Sequence, residues 1–244
     1  MRVVLKIEYD GTDYCGWQIQ PNGVTVQETI ERAFFNATGE KIRLFASGRT
    51  DSGVHAQGQI AHFDTNLSQP AESFKHILNA VLPSDIKITD SFKAKDGFHA
   101  RFSAKRKTYR YSAYVSQIDR PLLSRYSARV NGGFDVEKMK LGAKLIEGEH
   151  DFKCFCSADS SVSNTVRTIY SLDVVSSGET VSFTVTGNGF IYNMVRIIVG
   201  TLFGIGYGKI SLSDLENALT GGCRELVGKT MPPNGLCLVD VEYE

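Results

Sequence analysis

Apolar and polar residues alternate from the second position of the chain. Val3, Leu5, Ile7 and Tyr9 share one face of a period-two segment, which predicts a strand over residues 2–9. The stretch GTDYCGWQIQPNG then breaks the pattern with turn residues. Thr25 and Glu28 make a capping-box pattern ahead of an apolar stripe of Val26, Ile30, Phe34 and Ala37, and Gly39 closes it, so a helix is predicted. KIRLFAS and GQIAHFDT read as the second and third strands. Phe74, Ile77, Leu78 and Val81 recur at helical spacing before Pro83, and IKITDSFKAK reads as a fourth strand. The order β-α-β-β-α-β is that of the ferredoxin-like unit.

The second half repeats this order. TYRYSAYVS alternates as a strand, and DVEKMKLGAKLIEGEHDF carries Val136, Met139, Ala143 and Ile146 at helical spacing. VRTIYSLDVVSSGETVSFTVTGNGF reads as a hairpin turning at SSGE. YNMVRIIVGTLFGIG and SLSDLENALTGG read as two helices, the second capped by Ser211 or Ser213, and GLCLVDVEY as a last strand. The expectation is an α+β protein of two ferredoxin/RRM-like α/β domains with antiparallel sheets, residues 1–104 and 105–244, with a groove between them.

On this map GRTDSGVHAQG is an overlong connection between the second and third strands of the first domain. Loops of that kind, set on a rigid sheet, are where function concentrates. Gly48 and Gly53 flank Arg49 and Asp51 and give the backbone room to present them. Taken alone, Asp51 reads first as a turn aspartate bonded to its own backbone.

Composition narrows the class without naming it. The most apolar run, GFIYNMVRIIVGTLFGIGYG, is interrupted by Asn193 and Arg196 and reads as a buried helix rather than a membrane span. The N-terminus has no long apolar stretch, so a cytoplasmic protein is expected. Five cysteines without a C-x-x-C pair read as free thiols, and no metal site is expected. Net charge is zero, yet residues 101–130 hold Arg101, Lys105, Arg106, Lys107, Arg110, Arg120, Arg125 and Arg129 against Asp119 alone. Segregated charge of this kind can build one basic face on a neutral protein, although charge alone reads first as a solvated loop and strand.

Three further segments bear on chemistry. DGFHARFSAKRKTYRY interleaves rings that stack on bases with cations that neutralise phosphates, although Tyr109 and Tyr111 also fit the buried face of a strand. GNGFIYNMVRIIVG sets Arg196 in an apolar helix, where a buried guanidinium needs an anionic partner. MPPNGLCLVDVEY is a loop entering the final strand.

IEYDGTDYCGWQIQ, GRTDSGVHAQGQIAHF, FHARFSAKRKTYRY, GEHDF, FIYNMVRIIVG and GLCLVDVEY together resemble, in order and spacing, the TruA family of tRNA pseudouridine synthases. The family modifies positions 38 to 40 of the anticodon stem-loop. The resemblance runs from residue 2 to residue 243, with small departures at Ser47, at Ser52 and in FIYN. It implies Asp51 as the catalytic carboxylate, Tyr109 as a substrate-contacting ring, and Arg49 and Arg196 as active-site arginines. It also implies a basic cleft between the two domains, a homodimer, and tRNA as partner, with Arg101, Lys105, Arg106, Lys107 and Arg110 available to phosphates.

The implied reaction breaks the uridine C1′–N1 bond, turns the base and rejoins it through C5. It is an isomerisation without redox change or net hydrolysis, so no cofactor is expected. Asp51 would serve as nucleophile or base, kept ionised by Arg49 or Arg196, and the target base would leave its stack. Two other readings remain. A non-catalytic RNA binder with tandem RRM-like sheets explains the basic aromatic segment but not Arg49 and Asp51 in a long loop. A glycosidase-like hydrolase needs a second acid beside Asp51, and the motifs contain none.

Overall fold

In the computed structural model the alternation at the start of the chain forms β1 (Arg2–Tyr9), with Val3, Leu5, Ile7 and Tyr9 all buried. The structure describes residues 1–157 and 164–243. Contacts divide the chain into two units, Met1–Lys105 with Cys237–Glu244, and Arg106–Leu236.

In the first unit β1 is followed by α1 (Val26–Thr38), β2 (Phe45–Ala46), β3 (His55–Asp64), α2 (Phe74–Asn79) and β4 (Ile86–Lys93). Thr25 caps α1 by accepting the Glu28 amide at 3.4 Å, and Gly39 closes it in the left-handed region at φ 77°. The buried stripe of α1 is Val26, Ile30, Ala33 and Phe34; Ala37 is exposed. α2 stops at Asn79, so Val81 lies beyond it, 47% exposed, and Leu82 takes the inward position. KIRLFAS contributes only the two residues of β2 to the sheet.

β1 lies antiparallel between β3 and β4, and β2 pairs antiparallel with β3. Val3 faces Phe63 and Leu5 faces Ala61, so both strands offer these side chains to one face of the sheet. α1 and α2 cover that face. Phe34 meets Phe63 at 5.0 Å and Phe74 at 5.6 Å, and Phe63 meets Phe74 at 5.5 Å. Such ring pairs contribute about 0.5–1.5 kcal/mol each beyond their burial.

The last strand, β10 (Leu236–Glu242), runs parallel to β3, with Cys237 opposite His55 and Leu238 opposite Ala56. Residues 237–244 therefore group with the first unit rather than with residues 106–236. Partner choice by a terminal strand is non-local, and alternation alone cannot reveal it.

The second unit holds β5 (Arg106–Val115), β6 (Ala128–Val130), α3 (Val136–Ile146), β7 (Gly148–Asp151), β8 (Val166–Ser177), β9 (Thr180–Gly187), α4 (Met194–Gly206) and α5 (Leu212–Leu219). The sheet order is β5-β9-β8-β7, antiparallel throughout, with β6 parallel to β5. The helix predicted through residue 152 ends at Ile146. Glu147 turns extended, Gly148 takes φ 107°, and residues 148–151 join the sheet as β7. Asp135 caps α3, and Ser211, not Ser213, caps α5 with a full capping box.

α4 is buried on nearly all sides, and its Phe203 meets Phe183 of β9 at 5.2 Å. Among the described residues no helix is long and apolar enough to cross a membrane. The cysteines are free thiols, and Cys154 lies in a 3₁₀ turn, Phe152–Phe155, not in a strand.

Candidate active site

The connection carrying Asp51 occupies residues 47–54, shorter than GRTDSGVHAQG because β3 begins at His55. Its stem is held from below. The Ser47 amide donates to Ile60 O at 2.7 Å, the Ser47 hydroxyl to Gln59 Oε1 at 2.7 Å, and Gln59 Nε2 to Gly48 O at 2.9 Å. Both Ser47 and Gln59 are fully buried.

Thr50 is the inward residue of the tip. It is buried, and its hydroxyl lies 2.7 Å from the Tyr9 hydroxyl at the end of β1. Its carbonyl accepts the Trp17 amide at 3.0 Å. Its neighbours turn outward, Arg49 exposed and Asp51 half-buried. A pinned centre with a cation and a carboxylate on either side is the arrangement a reactive pair needs, because the backbone is fixed before substrate arrives.

Residues 10–17, at the start of the stretch GTDYCGWQIQPNG that the sequence shows as a loop rich in turn residues, form the wall against which this loop packs. The Tyr14 carbonyl accepts the Ser52 hydroxyl at 3.1 Å and the Gly53 amide at 3.4 Å. A Cβ on Gly11 would lie 2.0 Å from Val54 O, and one on Gly16, whose φ is 81°, would lie 2.6 Å from Thr50 O. Only glycine fits at either place. The glycines spaced five apart in DGTDYCGW were the available sign of a backbone-to-backbone contact. Gly53 takes φ 76° in the turn after Asp51, and the Val54 amide donates back to Asp51 O at 3.1 Å.

Tyr109 and Arg196 belong to the second unit. Tyr109 lies on the face of β5 that also carries Tyr111, and both rings are buried. Tyr109 meets Phe190 edge to face at 5.0 Å. The Tyr111 hydroxyl donates to Pro232 O at 2.8 Å, and burial pushes its phenol well above the ordinary range, with Arg196 opposing that rise.

Arg196 is half-exposed, not buried, because it sits in the first turn of α4. Its Nε donates to Met231 O at 2.6 Å and its Nη1 to Asn193 Oδ1 at 2.7 Å. These two neutral acceptors help to orient the guanidinium. Asn193 reaches it from the left-handed region, at φ 62° and ψ 3°, and its Nδ2 donates to Ser157 Oγ at 2.7 Å. A non-glycine residue held there is a local strain of the kind that clusters at functional sites. Sequence reasoning noted Asn193 only as a polar break in the apolar run and gave it no role; its place one turn ahead of Arg196 was the available signal.

The basic residues of β5 do not share one face. Arg101, Lys105 and Arg106 are exposed, and the Arg106 guanidinium lies over the Tyr170 ring at 4.7 Å. Strand alternation puts Lys107 on the Tyr109 face of β5 and Arg106 and Arg110 on the opposite face. Among the described residues no group of three or more His, Cys, Asp or Glu could hold a metal ion.

The family described as tRNA pseudouridine synthase matches residues 6–103 and 143–244, most of the chain and all four of Arg49, Asp51, Arg196 and β10. The chain belongs to this family. It is 47% identical over 244 residues to the tRNA pseudouridine synthase A of Geobacillus sp. strain WCH70, covering 100% of this chain and 98% of that protein. It is 44% identical over 243 residues to the protein of the same name from Citrifermentans bemidjiense, covering 99% and 97%. To that of Acetivibrio thermocellus it is 46% identical over 241 residues, covering 99% of both. Loop 47–54 of the enzyme lies within the matched residues.

Proposed function

We propose that this enzyme converts uridine to pseudouridine at positions 38, 39 and 40 in the anticodon stem-loop of tRNA, with Asp51 as the acting carboxylate. The isomerisation of uridine in tRNA follows from the family; the positions, the region and the residue roles are our reading. The observation that carries the reading is the pinning of Thr50, which leaves Arg49 and Asp51 outward on a fixed backbone.

In this reading the two units are ferredoxin-like domains that flank a basic cleft, and the target base leaves its stack to enter it. The strand order β4-β1-β3 with β2 beside β3 supports that description of the first domain. Asp51 attacks as nucleophile or takes a sugar proton while C1′–N1 breaks. The freed uracil turns, C5 bonds to C1′, and C5 gives up a proton as N1 gains one, so atoms balance with no second substrate. Tyr109 packs against the uracil, and Arg196 or Arg49 keeps Asp51 ionised. Arg101, Lys105, Arg106, Lys107 and Arg110 contact phosphates, on one flank or another of β5. The enzyme works in the cytoplasm as a homodimer.

The test is incubation with tRNA tritiated at uridine C5. Release confined to the anticodon arm is the expected result. Release from another arm would refute the region, and base set free from the RNA would turn the assignment to a hydrolase.

A further inference from the structure

Phe102 is 77% exposed, yet the turn that carries it is tied down by hydrogen bonds on both sides of the ring. The Arg101 and Phe102 amides both point at His99 Nδ1, at 3.1 and 3.4 Å. The His99 amide donates to Ser103 Oγ at 3.0 Å, and the Ser103 amide returns to His99 O at 2.9 Å. Ala100, at the root of the turn, is fully buried; its amide donates to His62 Nδ1 at 3.2 Å and its carbonyl accepts the Tyr243 hydroxyl at 2.8 Å. A mobile loop can fold an apolar ring away from water. This one cannot, because its backbone is fixed with the ring outward.

The ring is also part of an aromatic series. Phe102 lies 4.4 Å from His99, His99 lies 4.7 Å from His62, and His62 stacks on Phe45 at 5.2 Å and 22°. His62 and Phe45 are register partners on the face of the sheet opposite Phe63 and the helices. The Arg101 guanidinium lies 5.7 Å from the Phe102 ring, and Arg101 and Lys105 are both exposed. An exposed ring with a guanidinium beside it suits a nucleobase attached to its phosphate, the ring stacking on the base and the cation meeting the phosphate.

We propose that Phe102 is a stacking platform for a base of the tRNA other than the one that Asp51 isomerises. His62, the innermost ring of this series, stands seven residues along β3 from His55, where the Asp51 loop joins the strand, about 23 Å at strand rise. The inference rests on the functional reading above and adds a second point of contact to it.

The test measures the Kd of the full chain for an unmodified tRNA transcript across a salt series, with tritium release by the wild type assayed alongside. Phe102→Ala should weaken binding about 5- to 150-fold, the equivalent of about 1–3 kcal/mol for a lost stack, with the salt slope retained because no phosphate contact is removed. Phe102→Trp should restore it. If the wild type releases tritium and Phe102→Ala binds as tightly, the platform is refuted and the functional reading stands. A change in sedimentation with Phe102→Ala that Phe102→Trp does not repair would assign the ring to a protein contact and also refute it. If the wild type neither binds nor releases tritium, the functional reading fails and the platform falls with it.

Discussion

Gly16→Ala tests the idea that the wall formed by residues 10–17 sets the position of Asp51. The added Cβ would lie 2.6 Å from Thr50 O and 3.1 Å from the Asp51 carbonyl carbon, against an ordinary contact of at least 3.4 Å. The neighbouring backbone must therefore open by about 0.8 Å. The left-handed φ of 81° adds a strain of about 1–2 kcal/mol for any residue with a Cβ. A shift near 1 Å in a reacting group costs about a hundredfold in rate, so kcat should fall about 30- to 100-fold while tRNA affinity changes little. Single-turnover tritium release, with binding measured separately, reads both quantities. Gly39→Ala is the control, because Gly39 has φ 77° and nothing within 4 Å of its would-be Cβ. It should lose comparable stability and keep its rate. A wild-type rate in Gly16→Ala, or an equal loss of rate in Gly39→Ala, would refute the reasoning.

Tyr109 is buried edge-on to Phe190, so Tyr109→Phe should keep the packing and most of the affinity, while Tyr109→Leu should lose the aromatic contact; equal kcat losses in the two would show that the hydroxyl, not the ring, is what matters. His62 is held down to about 4, first by burial and then by Arg2 and His99. Between pH 6.5 and 4 the unfolded imidazole takes a proton that the folded one refuses, so stability should fall with pH in that window, by at most about 1.4 kcal/mol per unit from this group. Denaturant titrations of the wild type and His62→Gln at pH 7 and pH 5 check this, and an unchanged pH dependence in the variant would contradict it.

Local patterns were legible where the local signal and the tertiary contact agree. The alternation of Val3, Leu5, Ile7 and Tyr9, the cap at Thr25 and the stop at Gly39 all appear where the sequence put them. β7 was hidden because GEHD is four polar or small residues with no apolar alternation to mark a strand, and the helix ends on the backbone turns at Glu147 and Gly148. Arg196 looked buried because its sequence neighbours are apolar, but its place in the first turn of α4 leaves it half-exposed. Asp51 stood out as chemistry in a loop. What holds it did not, because Tyr9 and Thr50 are 41 residues apart and the contacts of Gly11 and Gly16 are made by backbone.

The central claim is that Asp51 acts on the uridine. Asp51→Asn keeps the size and the turn geometry of the side chain and removes its charge. The measurement is tritium release and tRNA affinity of this variant beside the wild type. The account predicts binding within a few-fold of wild type and no release. Release at the wild-type rate would contradict it.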